Sequence, residues 1–283
     1  MDCSVTIQIP QLPQEITESI GFRQTISTDL EEYLMFKKLS LSTMLILFAS
    51  SLTIGCATKA LGVKADSSFT FSAITDGKMA VGGVVSLSAS SEGDETSFAN
   101  LLRTQLLEQR EQYTVNPAGA VANKVGNDEY KKMLDNYRNN GALSDAEIKT
   151  LGSKLQGTRY VIFSRIESDD TTRNRSENVT KDKNGKTTGR KIKSETKRDV
   201  MASFNVYDLS KGTSAWSGTM KTSDKKNKTY DVSSLDTIVD LVSVVKNGQA
   251  KSSDDKYPFP EPPALNDLLS DIFKGFAKEL PKK

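Results

Sequence analysis

A stretch of 16 residues from Leu39 to Ile54, apolar apart from scattered serines and threonines, follows Met35-Phe36-Lys37-Lys38 and ends at Gly55-Cys56. No other feature constrains the chain as much, because it separates the residues that can join a globular core from those that cannot. A cationic end, a short apolar segment and a small residue before a possible cut make up the plan of a secretory signal. A helix needs about 20 residues to cross a bilayer, so the stretch reads as a leader rather than an anchor. Residues 1–34 fit no export logic: Glu31 and Glu32 sit where a leader should be positive, and Pro10 and Pro13 interrupt any helix. Translation is therefore expected to begin at Met35, with 1–34 a non-native upstream extension and 35–55 the signal peptide.

Leu52-Thr53-Ile54-Gly55-Cys56 resembles the lipobox of bacterial lipoproteins, with Thr53 standing where Leu is usual. The resemblance implies cleavage between Gly55 and Cys56 and a diacylglyceryl group on the cysteine. One acyl chain holds a protein only marginally, whereas lipoprotein cysteines typically carry three, so the anchor would be effectively permanent. Ala57 stands where Asp would mark inner-membrane retention, which implies an outer-membrane, periplasm-facing placement. The covalent lipid on Cys56 is the only non-protein group expected, and the lipid bilayer is the first expected partner.

Two absences narrow the chemistry. The chain has no histidine, which excludes Ser-His-Asp and Cys-His catalysis, His-ligated zinc and histidine proton shuttling. Cys3 and Cys56 are the only cysteines, so a domain that begins after Cys56 has no disulfide and must be stable through its core. Residues 1–55 hold three basic and six acidic side chains, leaving 35 against 30 in the remainder. That excess is too small to argue nucleic-acid binding, and none is expected.

Beyond a lipidated tether at 56–69, residues 70–283 read as one α/β (α+β) domain, a small mixed sheet with helices packed on it. Lys78 to Ser86 is a continuous apolar run that suits a strand covered on both faces, with Gly82-Gly83 marking a bulge or close packing by a neighbour. Asp94 can cap a helix that buries Phe98, Leu101, Leu102 and Leu106 and leaves Arg103, Gln105, Gln109 and Arg110 in solvent. Tyr113 to Val115 reads as a short strand. Tyr130, Met133, Leu134 and Tyr137 line a helix that stops at Gly141, and Ser144 with Glu147 forms a capping box for the next, which buries Ile148, Leu151 and Leu155. Tyr160 to Glu167 is a strand, and Val200 to Tyr207 alternates as a half-buried one that turns through Gly212 into Ala215 to Thr222, with Trp216 in the core. Leu235 to Val242 suggests a short helix. A linker at 247–263 ends in the proline-fixed run Tyr257 to Pro263, a rigid lead-in to a terminal helix carrying Leu265, Leu268, Leu269, Ile272, Phe276 and Leu280.

Residues 168–199 have no core face and carry ten Lys/Arg against six Asp/Glu. Asn184-Gly185 at their middle signals a hairpin, so they are expected to form a long polar β-hairpin arm. Arg173, Arg175, Lys181, Lys183, Lys186, Arg190, Lys191 and Lys193 are its candidate contacts to an anionic surface, the alternative being a mobile loop that is merely solvated. Val179 and Ile192 are almost its only apolar residues, too few for a membrane-spanning hairpin.

The succession of strand, helix, strand, helices, strand, long hairpin, strand and terminal helix resembles the α/β domain shared by the curli-secretion lipoprotein CsgG, the penicillin-binding-protein activator LpoB and the amino-terminal domain of TolB. Lys78 to Val85, Tyr160 to Glu167, Phe204 to Leu209 and Trp216-Ser217-Gly218 carry the likeness. It implies a periplasmic scaffold or regulator rather than a channel, and it transfers no individual functional residue; the leader, the lack of a catalytic constellation and the basic arm make binding of an envelope protein or a cell-wall polymer, without catalysis, the leading expectation. The rival reading is a cell-wall hydrolase using carboxylates among Glu167, Asp169 and Asp170, or a Ser-x-x-Lys pair at Ser194/Lys197, Ser223/Lys226 or Ser253/Lys256. A pore-forming secretion component of the CsgG kind stands third. Metal ligation is not expected.

Overall fold

The computed structural model describes residues 58–88, 93–232 and 256–283, all within one unit that runs from Gly55 to Lys283. Cys56 and the stretch expected as a helix near Leu235 lie outside the described residues.

Six strands form one mixed sheet in the order β1-β6-β5-β4-β2-β3. They are β1 (Lys59–Ala65), β2 (Met79–Ser86), β3 (Val115–Asn116), β4 (Tyr160–Lys181), β5 (Thr187–Asp208) and β6 (Thr213–Val232). β2 runs parallel to β3 and β4, and the other pairs are antiparallel. The six helices among the described residues are α1 (Phe71–Gly77), α2 (Glu95–Gln109), α3 (Ala118–Val125), α4 (Asn127–Asn140), α5 (Asp145–Lys154) and α6 (Leu265–Glu279). This is the expected mixed α/β architecture with a C-terminal helix.

Helices cover both sheet faces at β2, which is why its eight residues are all buried. On one face Met79, Val81 and Val84 pack with Phe98, Leu102 and Leu106 of α2 and with the apolar stripe of α6, including Phe273 and Phe276. On the other, Ala80 and Val85 pack with Val121 of α3, Met133 and Tyr137 of α4, and Ile148 and Leu151 of α5. Trp216 belongs to the first core, with its ring centroid 5.1 Å from that of Phe276.

Both readings of the paired glycines hold. The β2/β4 register slips between Val81 and Gly83. A Cβ on Gly82 would lie 2.2 Å from the Phe163 ring, and one on Gly83 2.5 Å from Leu134 Cδ2. The Tyr130 hydroxyl donates to the Gly82 carbonyl at 2.7 Å.

Of the three helix ends read above from cap residues at Asp94, Gly141 and Ser144, two form as expected. The Ser144/Glu147 capping box forms, and Gly141 closes α4 at φ 71° in the left-handed region. Asp94 occupies the N-cap position of α2 but makes no side-chain cap bond; instead the neighbouring Glu95 accepts from the Ser86 amide at 2.8 Å.

Three expectations of solvent exposure are corrected by packing between distant segments. Gln105 is buried, Arg103 donates to the Val115 carbonyl at 2.9 Å, and Arg110 donates to the Lys278 and Leu280 carbonyls, satisfying the open end of α6. The polar side of β5 is covered as well: Asn205 donates to the Tyr137 hydroxyl and the Gly141 carbonyl, both at 3.0 Å, and the Tyr207 hydroxyl accepts from the Leu143 amide. Lys59–Ala65, expected as tether, is an edge strand on β6. All seven of its residues are exposed, so it has no burial pattern for a sequence to display.

Gly82→Ala should overpack the contact with Phe163 and lower stability by about 1–3 kcal/mol, readable as a reduced melting temperature by far-UV circular dichroism. A pH response should accompany the turns at the end of the sheet away from the arm. Burial acts to raise the Asp208 pKa, but hydrogen bonds from Arg159 and Ser210 prevail and hold the carboxyl below its usual range. Hydrogen bonds from Ser68 hold that of Asp66 down at about 2. Groups with depressed folded-state values stabilise fully above the unfolded value, about 4. Denaturant midpoints should therefore be flat at neutral pH, fall below about pH 4 and lose this contribution near pH 2.

Candidate functional site

The arm is longer and better built than a two-stranded hairpin. β4 and β5 pair without a gap from Tyr160/Asp208 to Lys181/Thr187, and β6 accompanies β5 as far as Val232 opposite Arg190. Three strands therefore leave the core together.

A bulge at the base of the arm decides which side chains face which way. Ile166 pairs with Ala202 and Ser168 with Met201, so Glu167 is the extra residue. Before it, even-numbered β4 residues such as Ile162 and Ile166 face the α6 core; after it, the odd-numbered ones do. Asp169 thus points to the side that an aliphatic residue occupied one turn of the alternation earlier. Its carboxylate, 5% exposed, is gripped bidentately by Arg198 at 2.5 Å. The Asp169 hydrogen bond raises the Arg198 pKa above its ordinary value.

The tip is closed by Asp182, whose carboxylate accepts the amides of Asn184 at 2.8 Å and Lys186 at 2.9 Å. Gly185 alone takes the left-handed conformation there, at φ 78°. With Gly185 N–H bonded to the Asp182 carbonyl, this is a type I turn followed by a glycine bulge.

One face of the arm is strapped by Tyr257 to Pro263. Proline has no amide hydrogen, so this segment cannot join the ladder as a strand; it is held by its carbonyls instead. Arg175 donates to Tyr257 O at 2.7 Å, Thr196 to Pro260 O at 2.8 Å, Arg198 to Pro263 O at 3.0 Å and Lys226 to Pro262 O at 3.5 Å, while Ser194 and Tyr230 bond Tyr257 O and Pro258 O. The guanidinium groups of Arg175 and Arg173 lie 4.5 and 5.7 Å from the Phe259 ring centroid, within cation–π range. Ser194 and Thr196 are fully covered as a result.

The opposite face is laced by ion pairs: Lys193 and Lys225 with Glu195, Lys197 with Asp199, and Lys191 with Asp231. Such exposed pairs stabilise little individually, but they cancel charge. Of the eight basic residues singled out in the sequence, Arg173 and Arg175 hold the strap, and Arg190 pairs with Glu177 at 2.6 Å. Lys191 and Lys193 have carboxylate partners, and Lys181, Lys183 and Lys186, all at the tip, have neither a strap contact nor an ion pair among the described residues.

The proposed catalytic groupings are not brought together. Glu167 is held by Arg165 and Ser203, whereas Asp169 is held by Arg198 on the face that carries the α6 core. Asp170 is exposed. Ser194 and Lys197, three apart on one strand, point to opposite faces, as do Ser223 and Lys226. Ser253 lies outside the described residues. A cavity of about 180 Å³ between β2 and helices α2 to α4 is lined mainly by apolar groups. Of its polar side chains, Glu95, Thr96 and Tyr130, the first is engaged by Arg138 and the last by the Gly82 carbonyl. No group of side chains among the described residues is placed to hold a metal ion.

The strap and the buried pair can be probed directly. Arg198→Ala strands Asp169 without its partner and frees the Pro263 carbonyl, and should destabilise the domain by about 3–5 kcal/mol in urea unfolding. Arg198→Lys should recover only part of the loss, since a lysine cannot make the bidentate bond.

No family model matches the chain, and no curated protein matches it. Among solved structures it is similar to the PelC dodecamer from Paraburkholderia phytofirmans, with 11% identity and a TM-score of 0.36 over 80% of this chain and 99% of that one. It is also similar to the lipoprotein GNA1162 from Neisseria meningitidis, with 17% identity and a TM-score of 0.27 over 60% of this chain and 94% of that one. A third is the hypothetical protein CT253 from Chlamydia trachomatis, with 12% identity and a TM-score of 0.31 over 72% and 94%. Likeness this loose fixes no property of the present chain.

Proposed function

We propose that the protein is a lipid-anchored module of the bacterial cell envelope, acylated on Cys56, facing the periplasm from the outer membrane, and acting by binding rather than catalysis. The observation that carries the reading is the leader ending in Gly55-Cys56, followed after only two residues by the first strand of a folded domain. A chain cut before Cys56 would thus be almost entirely domain. No described helix is long and apolar enough to cross a membrane; in this reading the lipid on Cys56 supplies the attachment.

Binding as the mode of action is supported by the arm, a rigid polar projection with a positively charged tip. The likeness in element order to CsgG, LpoB and TolB belongs to the same proposal, as does an envelope protein or wall polymer as further partner. The hydrolase reading gains nothing from the geometry, because Glu167 and Asp169 lie on opposite sides of the sheet and each is engaged by an arginine. A membrane-spanning role for the arm lacks a continuous apolar face, since one side carries the strap and the other the ion pairs.

Metabolic labelling with radioactive palmitate decides the anchor. Label should enter the full chain and should be lost in Cys56→Ser, which should also move the protein from the membrane to the soluble fraction. Unlabelled protein, or a Cys56→Ser variant that stays membrane-bound, would overturn the reading.

A further inference from the structure

The position of β1 fixes how an anchored domain can sit. β1 is antiparallel to β6, with Lys59 opposite Lys221 and Ala65 opposite Trp216. The chain therefore enters the sheet at the level of Lys221, partway along β6. Only Ala57 separates Cys56 from Thr58, so the two Cα atoms lie within about 7 Å of each other. Thr58 is itself tied down, its hydroxyl donating to the Asp271 carbonyl of α6 at 3.3 Å.

From that level the sheet extends both ways. Met201, the β5 residue opposite Lys221, is fourteen residues from Thr187 near the arm tip, about 46 Å at about 3.3 Å per residue. Lys221 is eight residues from Thr213 at the other end, about 26 Å. Either end turned toward the bilayer would have to penetrate it by several times the reach of the tether. Unpaired strand edges and charged side chains do not enter hydrocarbon. The strands must run broadside, along the membrane surface.

Broadside placement brings two sets of unneutralised charge to the surface. Lys59 and Lys221 face each other across the ladder beside the point of attachment, a repulsive arrangement in water, and neither has an ion pair among the described residues. At the far end are Lys181, Lys183 and Lys186, while the nearby Asp182 carboxylate is occupied by backbone amides. Resting on the acylation of Cys56 proposed above, we infer that the arm lies along the leaflet that holds the acyl chains, with Lys181, Lys183 and Lys186 bound to anionic phospholipid headgroups. Basic residues at such a surface attract additively and lose their hold as salt rises.

The test uses the mature acylated chain, which begins at Cys56 with its sulfur alkylated, and a fluorophore on Thr180→Cys, an exposed site near the tip and then the only free thiol. Energy transfer is measured to a headgroup-labelled lipid in phosphatidylethanolamine vesicles with phosphatidylglycerol, and in phosphatidylcholine vesicles. Transfer should be at least twofold greater with phosphatidylglycerol and should fall to the phosphatidylcholine level when Lys181, Lys183 and Lys186 are all changed to Gln. Equal transfer in both vesicles, or a triple variant that behaves like the parent, would overturn the binding of the tip lysines to anionic headgroups even if palmitate is incorporated. Failure of palmitate incorporation would remove the anchor and this placement together.

Discussion

Three strands that pass unbroken from a buried sheet into solvent are the constraint on which the rest of this structure depends. In β4, β5 and β6 the same hydrogen-bond ladder that aligns Ile162, Val206 and Trp216 in the core continues to Lys181, Thr187 and Val232. Register set by the core is therefore inherited by the arm. A one-residue slip would flip every side chain between faces, and the core side tolerates no such exchange because Phe163 and Val161 are buried on one face and Ile162 and Ile166 on the other.

The bulge at Glu167, on β4, is where that inheritance is first altered; along β4 and β5 the register shifts again only near the tip, between Thr180 and Lys181. The Glu167 bulge carries Asp169 to the side of the α6 core, an expensive place for a carboxylate without a partner. Arg198 supplies the partner and with the same guanidinium reaches the Pro263 carbonyl. A single side chain thus joins the bulged strand, the middle strand and the end of the strap, and the strap leads directly into α6, whose apolar stripe closes the core. Arm and core are coupled through covalent continuity at both ends of this path.

Much of the core was legible in the sequence because its signals are local. Continuous burial of Met79 to Ser86, the Ser144/Glu147 box, the Gly141 stop and the stripe of α6 each lie within one element. Pairings between elements were not legible. Arg110 reads as solvated on its own helix and is occupied only because the end of α6 lies beside it. β1 has no buried residue, so its strand character comes wholly from the edge of β6. At the candidate site the hairpin was readable from Asn184-Gly185, but the third strand was not, since Ser223 to Val232 is as polar as a loop. Strapping by Tyr257 to Pro263 was hidden as well: it uses backbone carbonyls, which every sequence possesses.

The strap also explains how so polar an arm can be a fixed structure. A ribbon of strands with few apolar residues is marginal in water on its own. Here Phe259 lies under two guanidinium groups, the Tyr257 and Tyr230 rings stand 5.6 Å apart, and Ser194 and Thr196 are sealed from solvent with their hydroxyl groups bonded. Proline contributes from the other side of the balance, because a segment already restricted in the unfolded chain loses less entropy when it docks. An arm ordered in advance would surrender little freedom if its tip met a surface, so it would need fewer lysines than a disordered basic loop.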